Sequence, residues 1–289
     1  MLRQQLSWIL LLSFAAVGCG TEASTVNAGL TGDGPGIPPV IVRPSDLVAT
    51  RASVTLGNPG SLALADVNED GKPDVATLHN ASSQVRVMQG PGSGHFLELV
   101  TLSTSNKPTA LTFQDLNKDG HQDLAVLCDK SSLDVFLGDG QGGFQAAGNF
   151  PAGLGFSLVS ADFNEDGKLD LASENFIDKI TVLLGQGDGT FGGPTSFAAS
   201  SFVGQVVTTD FNGDRHADLV SGADLSELAV LLGKGDGTFE PAVKFNPGLA
   251  PRRVVAADFN GDNFVDLALA AGSSSAAVVL LGKGDGSFQ

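Results

Sequence analysis

The stretch Asp162-Phe163-Asn164-Glu165-Asp166-Gly167-Lys168-Leu169-Asp170 decides the fold, because it holds three aspartates and one amide within nine residues and recurs along the chain. Hard cations such as calcium take about six to eight oxygen ligands, which a short loop supplies from alternate side chains and one backbone carbonyl. Positions 1, 3, 5 and 9 of the stretch carry side-chain oxygens, position 7 offers its carbonyl, and the glycine at position 6 permits a sharp turn. We interpret the stretch as a calcium-binding loop.

The same pattern occurs five times, and the first aspartate of each loop follows the previous one by 49, 47, 48 and 48 residues. Self-similarity at a nearly fixed period indicates a repeat architecture. The pattern predicts up to five structural Ca2+ ions, one in each loop. The predicted side-chain ligands are Asp66, Asn68, Asp70 and Asp74; Asp115, Asn117, Asp119 and Asp123; Asp162, Asn164, Asp166 and Asp170; Asp210, Asn212, Asp214 and Asp218; and Asp258, Asn260, Asp262 and Asp266. The predicted carbonyl ligands at position 7 belong to Lys72, His121, Lys168, His216 and Phe264.

Each loop lies between two short apolar runs, and two further runs flank a glycine-rich turn such as Gly185 to Gly189. Glycine clusters between β-type runs are typical of hairpins. Four short antiparallel strands in a repeat of about 48 residues are typical of a propeller blade. The sequence therefore predicts an all-β propeller of four-stranded blades, with five repeats visible. An EF-hand is excluded, since position 12, where that motif needs a bidentate glutamate, holds Thr77, Val126, Ser173, Ser221 and Leu269.

The pairing of Asp-Phe-Asn-x-Asp-Gly-x-x-Asp-Leu with a downstream Gly-x-Gly-Asp-Gly-x-Phe resembles the FG-GAP or VCBS repeat family, which includes the propeller of integrin α subunits. The resemblance covers about residues 49 to 289. It implies a calcium-binding propeller. Because the repeat occurs in adhesion proteins, lectins, lyases and many other surface proteins, it implies a scaffold and not one particular activity.

Two loops depart from the pattern at position 6, where Arg215 and Asn263 replace the glycine. A residue with a Cβ resists the left-handed conformation that such a turn requires, although asparagine tolerates it better than most. We expect both loops to bind metal, because their side-chain ligands are all present. We expect the loop that contains Arg215 to be the weakest site.

The N-terminus has the features of an export signal, with an apolar run from Trp8 to Val17 that is too short to span a bilayer as a stable helix. Ala16-Val17-Gly18-Cys19 resembles a bacterial lipobox, so we predict lipidation of Cys19. Ordinary secretion without a lipid is the alternative. The predicted location is the bacterial envelope or the extracellular space. The predicted domains are a signal peptide (1–19), a disordered Gly-, Thr- and Pro-rich tether (20–45) and the propeller (46–289).

Charge and motifs argue against nucleic acid binding and against catalysis. The formal charge is −16 and no basic stripe is present, whereas phosphate binding needs one. Neither a Gly-x-Ser-x-Gly elbow nor a His-Glu-x-x-His motif occurs. We therefore predict a surface interaction or adhesion module without catalysis. The alternative is a carbohydrate-binding or polysaccharide-processing propeller, although the chain has no Tyr and its one Trp lies in the signal.

The predicted partner is a surface protein or polysaccharide, and we expect a monomer that contacts a membrane only through its lipid anchor. Recognition is expected where loops vary on a rigid scaffold. The connections that vary most among the repeats are residues 79–84, 128–132, 173–179, 221–227 and 271–275.

The two ends of the repeat array are complementary. Arg51 to Leu56 resembles the last strand of a blade, and the chain stops where the last blade would begin its fourth strand. We expect residues 51–56 to pair beside residues 278–281 and to close a ring of five blades, which leaves no unpaired edge there. A fragment of a larger propeller is the alternative. The sequence also predicts that Cys128, in an apolar run, is a buried and unreactive thiol.

Overall fold

The computed structural model of the protein describes residues 61–92, 96–175, 178–199, 203–223, 227–271 and 277–289, all within a unit that spans residues 50–289. The predicted signal peptide with Cys19, the tether and the strand 51–56 lie outside these ranges. Lipidation and five-blade closure therefore stay predictions. No described range contains a helix that could cross a membrane.

The described ranges contain nineteen strands in five antiparallel sheets, and each sheet is built from consecutive strands. Four sheets have four strands and the last has three, so the predicted all-β array of four-stranded blades is confirmed. Blade 1 contains β1 (Leu62–Ala65), β2 (Asp74–His79), β3 (Gln84–Gln89) and β4 (Leu97–Ser103); blade 2 contains β5 (Pro108–Gln114), β6 (Asp123–Cys128), β7 (Ser132–Gly138) and β8 (Phe144–Pro151). Blade 3 contains β9 (Leu158–Ala161), β10 (Asp170–Asn175), β11 (Lys179–Leu183) and β12 (Thr195–Ala198). Blade 4 contains β13 (Val203–Thr209), β14 (Asp218–Ala223), β15 (Glu227–Leu231) and β16 (Val243–Phe245); blade 5 contains β17 (Pro251–Ala257), β18 (Asp266–Ala271) and β19 (Ala277–Leu280).

In every blade a candidate metal loop joins the first strand to the second. The second strand begins at the last aspartate of the loop, as β10 begins at Asp170, which lies opposite Ala161 of β9. The first strands of successive blades contact one another, β1 with β5, β5 with β9, β9 with β13 and β13 with β17. Each candidate metal loop therefore follows a first strand that contacts the first strand of the neighbouring blade.

Apolar clusters hold the blades together, and each of the four in the described ranges joins two successive blades. In the third cluster, Ile180 of blade 3 packs with Leu219 of blade 4, and both are fully buried. Full burial of one such side chain stabilises the fold by about 1.5–3 kcal/mol. The phenylalanines that end the glycine-rich turns of blades 2 to 5 join these clusters, and the ring of Phe239 lies 5.6 Å from that of Phe163 in the preceding blade. The predicted packing of phenylalanine between blades is confirmed.

The glycine-rich turns are packed too closely for a side chain at two positions. A Cβ on the first glycine, Gly233, would lie 2.4 Å from the carbonyl oxygen of Ala217 in the same blade. The third glycine, Gly237, has a φ of +80°, and a Cβ there would lie 3.1 Å from the side chain of Leu184 in blade 3. Close approach of a backbone carbonyl therefore requires glycine at Gly233, and the left-handed conformation favours glycine at Gly237.

The thiol of Cys128 is fully buried and lies 3.4 Å from Oδ2 of Asp134. Burial, together with this carboxylate, raises the pKa of the thiol to about 12. The predicted burial of the thiol is confirmed, and its lack of reactivity stays a prediction.

Candidate metal sites

The first aspartate of each candidate loop accepts hydrogen bonds from the backbone of its own loop. In blade 3, Asp162 accepts the N–H of Asp166 at 3.1 Å and the N–H of Gly167 at 2.7 Å. The N–H of position 6 donates to the first aspartate in the other loops as well, at 2.7 to 3.0 Å, and these aspartates are Asp66, Asp115, Asp210 and Asp258. The aspartate thereby fixes the curvature of the loop.

The polar groups at positions 3 and 5 also find partners within the loop. Oδ1 of Asn164 accepts the N–H of Asp166 at 3.1 Å, and Nζ of Lys168 lies 3.0 Å from Oδ2 of Asp166. Lys72 makes the equivalent contact with Asp70 at 3.4 Å. Where position 7 is not lysine, the asparagine amide donates to the carboxylate of position 5 at 2.8 Å, in the pairs Asn117–Asp119, Asn212–Asp214 and Asn260–Asp262.

The aspartate at position 9 has a second role that the sequence analysis missed. One oxygen of Asp170 accepts the N–H of Phe163 at 2.9 Å, and the other accepts the N–H of Gly185, the first glycine of the turn, at 2.7 Å. This aspartate therefore ties the metal loop to the glycine-rich turn of the same blade. The same pair of bonds occurs at the other fully buried aspartates of this position, Asp74, Asp123, Asp218 and Asp266.

Burial of these carboxylates is electrostatically unfavourable in three blades, and it raises the pKa of Asp123 in blade 2 as well as those of Asp170 and Asp218. Burial raises the pKa of Asp170, and with the two N–H donors opposing it and the negative charges of Asp162 and Asp166 adding to it, the pKa is about 6. Burial likewise raises the pKa of Asp218 to about 6, with Asp214 and Asp210 contributing. The carboxylates of one loop therefore repel one another, and a cation at the loop would relieve that repulsion.

Each loop contains two left-handed positions, and glycine occupies one of them. In blades 1 to 3 position 6 is glycine while position 4 is Glu69 (φ 57°), Lys118 (φ 63°) or Glu165 (φ 56°). In blades 4 and 5 the arrangement is reversed, since Arg215 (φ 76°) and Asn263 (φ 70°) follow Gly213 and Gly261, both at φ 80°. Position 6 alone does not reveal this compensation, because the glycine that replaces it lies at position 4.

The donor groups of the loops are of the chemical type that a hard cation binds, because calcium prefers carboxylate, amide and carbonyl oxygens. Within the described ranges, however, no three His, Cys, Asp or Glu side chains lie close enough together to hold one metal ion. In blade 3 both oxygens of Asp162 and both of Asp170 accept backbone N–H groups. Each carboxylate oxygen keeps a further lone pair for a metal.

Histidine at position 7 joins neighbouring loops through its side chain. Nδ1 of His121 lies 2.6 Å from Oε1 of Glu69, at position 4 of the preceding loop. His216 makes the same contact with Glu165. Each glutamate hydrogen bond raises the pKa of its histidine. The sequence predicted a role only for the backbone carbonyl groups of these histidines, and the spacing of 51 or 52 residues between the partners is the signal for the side-chain contacts.

A cleft of about 590 Å³ opens beside the loop of blade 2. Its lining combines polar side chains with the apolar side chains of Leu137 and Phe144. The polar side chains are those of Asn117, Asp119, His121, Asp139 and Gln145. In this blade the aspartate of the turn is Asp139, at the second position, whereas blades 3 to 5 carry it at the fourth position as Asp188, Asp236 and Asp285.

Two of the predicted recognition connections, residues 79–84 and 128–132, lie fully within the described ranges. Lys130 and Ser131 in the second have φ values of 109° and 54°, so this connection is a tight turn with two left-handed residues. The other three lie partly outside the described ranges.

Solved structures share this fold. A structure of an Agrocybe aegerita lectin, which concerns specific recognition of non-reducing terminal N-acetylglucosamine, matches with a TM-score of 0.55 and 20% identity over 79% of this chain and 64% of the lectin chain. The present chain thus spans less than two thirds of that lectin. BBS1N in complex with ARL6DN matches with a TM-score of 0.58 and 10% identity over 81% of this chain and 67% of the other. At these identities the likeness is one of fold alone.

No curated protein matches the sequence. The model of the FG-GAP-like repeat matches it four times, at residues 66–126, 115–173, 162–221 and 210–269. Each match begins at the first aspartate of one candidate loop and extends into the second strand of the next blade. These matches together span residues 66–269 and confirm the resemblance, so the chain belongs to the FG-GAP-like repeat family.

Proposed function

We propose that this protein is a calcium-stabilised extracytoplasmic propeller that acts as a surface interaction or adhesion module without catalysis. The observation that carries the proposal is the fivefold repetition of one loop, in which a fully buried aspartate at position 9 follows two further carboxylates and an amide. Such a loop places negative charge where burial already opposes ionisation, as the raised pKa of Asp170 indicates. Calcium would offset this charge.

In each loop the ion would be held by the side chains at positions 1, 3, 5 and 9 and the carbonyl at position 7. Bound calcium supplies a positive charge that links the end of the first strand to the start of the second. Binding free energy then adds to folding free energy, since the unfolded chain does not present these oxygens together. Extracellular calcium modules bind with dissociation constants of about 0.1 to 1 mM, which suits a protein outside the cytoplasm.

The interaction role draws on the position of the variable connections. They lie at the ends of the second strands opposite the metal loops, and calcium would hold this scaffold rigid. A lipid on Cys19 and the tether of residues 20–45 would attach the propeller to a bacterial surface. The partner is a surface protein or a polysaccharide, and nucleic acid is disfavoured by the charge of −16.

Thermal unfolding with chelator and with millimolar calcium tests the metal part of the proposal. Calcium should raise the midpoint, and calorimetric titration should give up to five sites. Identical midpoints would reject the calcium role.

A pull-down with the calcium-loaded protein against envelope and extracellular fractions tests the interaction part, because saturable capture of one component is expected only if a recognition surface exists.

Carbohydrate binding is a second candidate, favoured by the cleft beside the loop of blade 2. A calcium ion at this loop would lie at the cleft wall formed by Asn117 and Asp119, while Phe144 supplies an apolar surface. Binding of saccharides to wild type and to Asp139→Asn, with and without calcium, distinguishes the two candidates. Saturable, calcium-dependent binding that Asp139→Asn weakens would favour a lectin, and turnover of a polysaccharide would favour an enzyme.

A further inference from the structure

The metal loops of blades 4 and 5 contain the only two Asn-Gly steps of the sequence, Asn212-Gly213 and Asn260-Gly261. Asparagine is a thermolabile residue. The backbone nitrogen of the next residue attacks Cγ of its side-chain amide and forms a cyclic succinimide. A side chain on that next residue hinders the attack, and glycine has none. Both steps therefore combine a labile amide with an unhindered nucleophile.

All five loops have a left-handed backbone at the residue after the asparagine, so blades 1 to 3 serve as internal controls. The φ values at this position are 57°, 63° and 56° in Glu69, Lys118 and Glu165, and 80° in the two glycines. In every loop Oδ1 of the asparagine accepts the N–H of position 5, at 2.8 to 3.1 Å. The loops of blades 1 to 3 thus hold the asparagine in the same way but carry a Cβ beside it.

Hydrogen bonds in blades 4 and 5 favour the attack at both reacting groups. The N–H of Gly213 donates to Oδ1 of Asp210 at 2.7 Å, so a carboxylate lies within reach of the proton that the nitrogen loses. The N–H of Asp214 donates to Oδ1 of Asn212 at 3.0 Å and stabilises the negative charge that develops on this oxygen. The equivalent bonds of blade 5 are 2.7 and 2.8 Å long. In blades 1 to 3 the first aspartate instead accepts the N–H of position 5 with this oxygen.

The surroundings of both glycines leave room for the reaction. Among the described residues, a Cβ at Gly261 would meet no atom within 4 Å, and one at Gly213 would meet only the carbonyl oxygen of Gly284 at 4.0 Å. Both glycines and Asn260 are exposed, and Asn212 is half-buried. The loops can therefore rearrange without displacing a neighbouring blade, and water reaches the product.

We propose that Asn212 and Asn260 are sites of spontaneous deamidation in the folded protein. The bond between Cγ and Nδ2 breaks as a bond forms between Cγ and the glycine nitrogen. The departing amide group takes up the proton that this nitrogen loses, and it leaves as ammonia. Water then opens the succinimide at either of its two carbonyl groups, which gives aspartate or isoaspartate. Water is the only other reactant.

Either product changes the hydrogen bonds of the loop. Nδ2 of Asn212 donates to Oδ2 of Asp214 at 2.8 Å, and Asn260 makes the same bond with Asp262. Aspartate replaces this donor with a carboxylate, so two negative charges face each other and repel. Isoaspartate also lengthens the main chain by one carbon atom, which displaces the N–H of the following glycine. Deamidation therefore alters two of the five candidate metal loops.

Incubation of the full-length folded chain in chelator, near neutral pH and well below its melting midpoint, tests the proposal. Peptide mass spectrometry measures the mass gain of an amide converted to an acid, and chromatography separates isoaspartyl from aspartyl peptides. Conversion should accumulate at Asn212 and Asn260. The equivalent asparagines of blades 1 to 3 should keep their amides, and these are Asn68, Asn117 and Asn164. The same chain unfolded in guanidinium chloride gives the reference rate for an unstructured Asn-Gly step.

Substitutions after the asparagine separate the effect of the Cβ from that of the fold. Gly213→Ala should abolish conversion at Asn212 and leave conversion at Asn260 unchanged. Lys118→Gly places glycine after Asn117, where the backbone is already left-handed, and should start conversion there. Lys118→Ala is the matched control, because it removes the same charge and keeps a Cβ, so Asn117 should keep its amide. Amides that persist at both Asn-Gly steps of the folded chain while the unfolded chain converts would overturn the proposal, as would equal conversion in all five loops.

Discussion

The backbone N–H of Gly237 donates to the carbonyl oxygen of Phe163 at 2.8 Å, and this bond joins the glycine-rich turn of blade 4 to the metal loop of blade 3. The N–H of Phe163 in turn donates to Asp170. The residue after the first loop aspartate therefore connects its own second strand with the next blade. A change in the structure of one metal loop should therefore affect the glycine-rich turn of the next blade through this residue.

Gly237→Ala should destabilise the propeller by about 1–3 kcal/mol, because a left-handed φ disfavours any Cβ. The new Cβ would also press on Leu184, 3.1 Å away. Chemical denaturation of the variant and wild type measures the difference. The control is Gly193→Ala, where a Cβ would meet no atom within 4 Å and stability should change little. Equal stability of Gly237→Ala and wild type would contradict the packing described for the third glycine.

Arg215→Gly should stabilise the protein by up to about 1 kcal/mol, because it removes a Cβ from a left-handed position. The bond from position 6 to Asp210 is already made at 2.8 Å, so the loop keeps its shape and its calcium affinity should change little. Gly213→Ala should act in the opposite direction, since it places strain at both left-handed positions of the same loop. A large gain in calcium affinity in Arg215→Gly would support the expectation that this loop is the weakest site, and would argue against compensation by Gly213.

The sequence predicted the repeats, the strand content and the interblade phenylalanines, because a period of 47 to 49 residues and alternating apolar runs depend on short-range pattern. It could not predict contacts whose partners lie one repeat apart. The bond of Gly237 to Phe163 and the pair of His121 with Glu69 both join different blades. Their geometry depends on how one blade stacks on the next.

The double role of Asp170 was hidden for a different reason. Its position in the loop predicts a metal ligand, and nothing in the local pattern indicates that Gly185, fifteen residues away, donates to the same carboxylate. Only the pairing of β10 with β11 brings the turn back to the loop.

Asp170→Ala and Asp166→Ala should therefore differ when calcium is removed. Asp170→Ala leaves the buried N–H groups of Phe163 and Gly185 without an acceptor, at a cost of about 1–3 kcal/mol each, so the midpoint should fall even in chelator. Asp166→Ala removes an exposed carboxylate and should lower the midpoint mainly in calcium. Comparing both variants in the two buffers separates the roles. If both lose stability only in calcium, the structural role of Asp170 is wrong.

Cys19→Ala should release the protein from the membrane fraction, because the predicted lipid is attached through this thiol. Fractionation of cells that express wild type and variant measures the distribution. Cys128 does not confound the comparison, since its thiol is buried. A wild-type protein that is already soluble and begins at another residue would indicate ordinary secretion.

Glu174 provides the last prediction, because it places a carboxyl group inside the array. It is 1% exposed, its Oε1 accepts the N–H of Phe156, and its Oε2 has no hydrogen-bond partner among the described residues. Leu78 and Leu127 occupy the equivalent positions in blades 1 and 2. Burial raises the pKa of Glu174 to about 7, against the opposing effects of the Phe156 N–H and the charge of Arg253.

The folded state therefore binds the Glu174 proton more tightly than the unfolded state does. The resulting stability is fully present below the unfolded pKa of 4.5 and is lost as the pH rises through about 7. The full size of this contribution to stability is about 3 kcal/mol.

Glu174→Gln, which stays neutral, should be less sensitive to alkaline pH than wild type, so the difference in unfolding free energy between the two should grow from pH 5 to pH 8. Subtracting the unfolding free energy of wild type from that of the variant cancels the contributions of Asp170 and Asp218, whose pKa values are about 6. Glu240→Gln, which removes an exposed carboxyl group, is the matched control. A constant difference between Glu174→Gln and wild type across this range would mean that Glu174 does not titrate inside the fold.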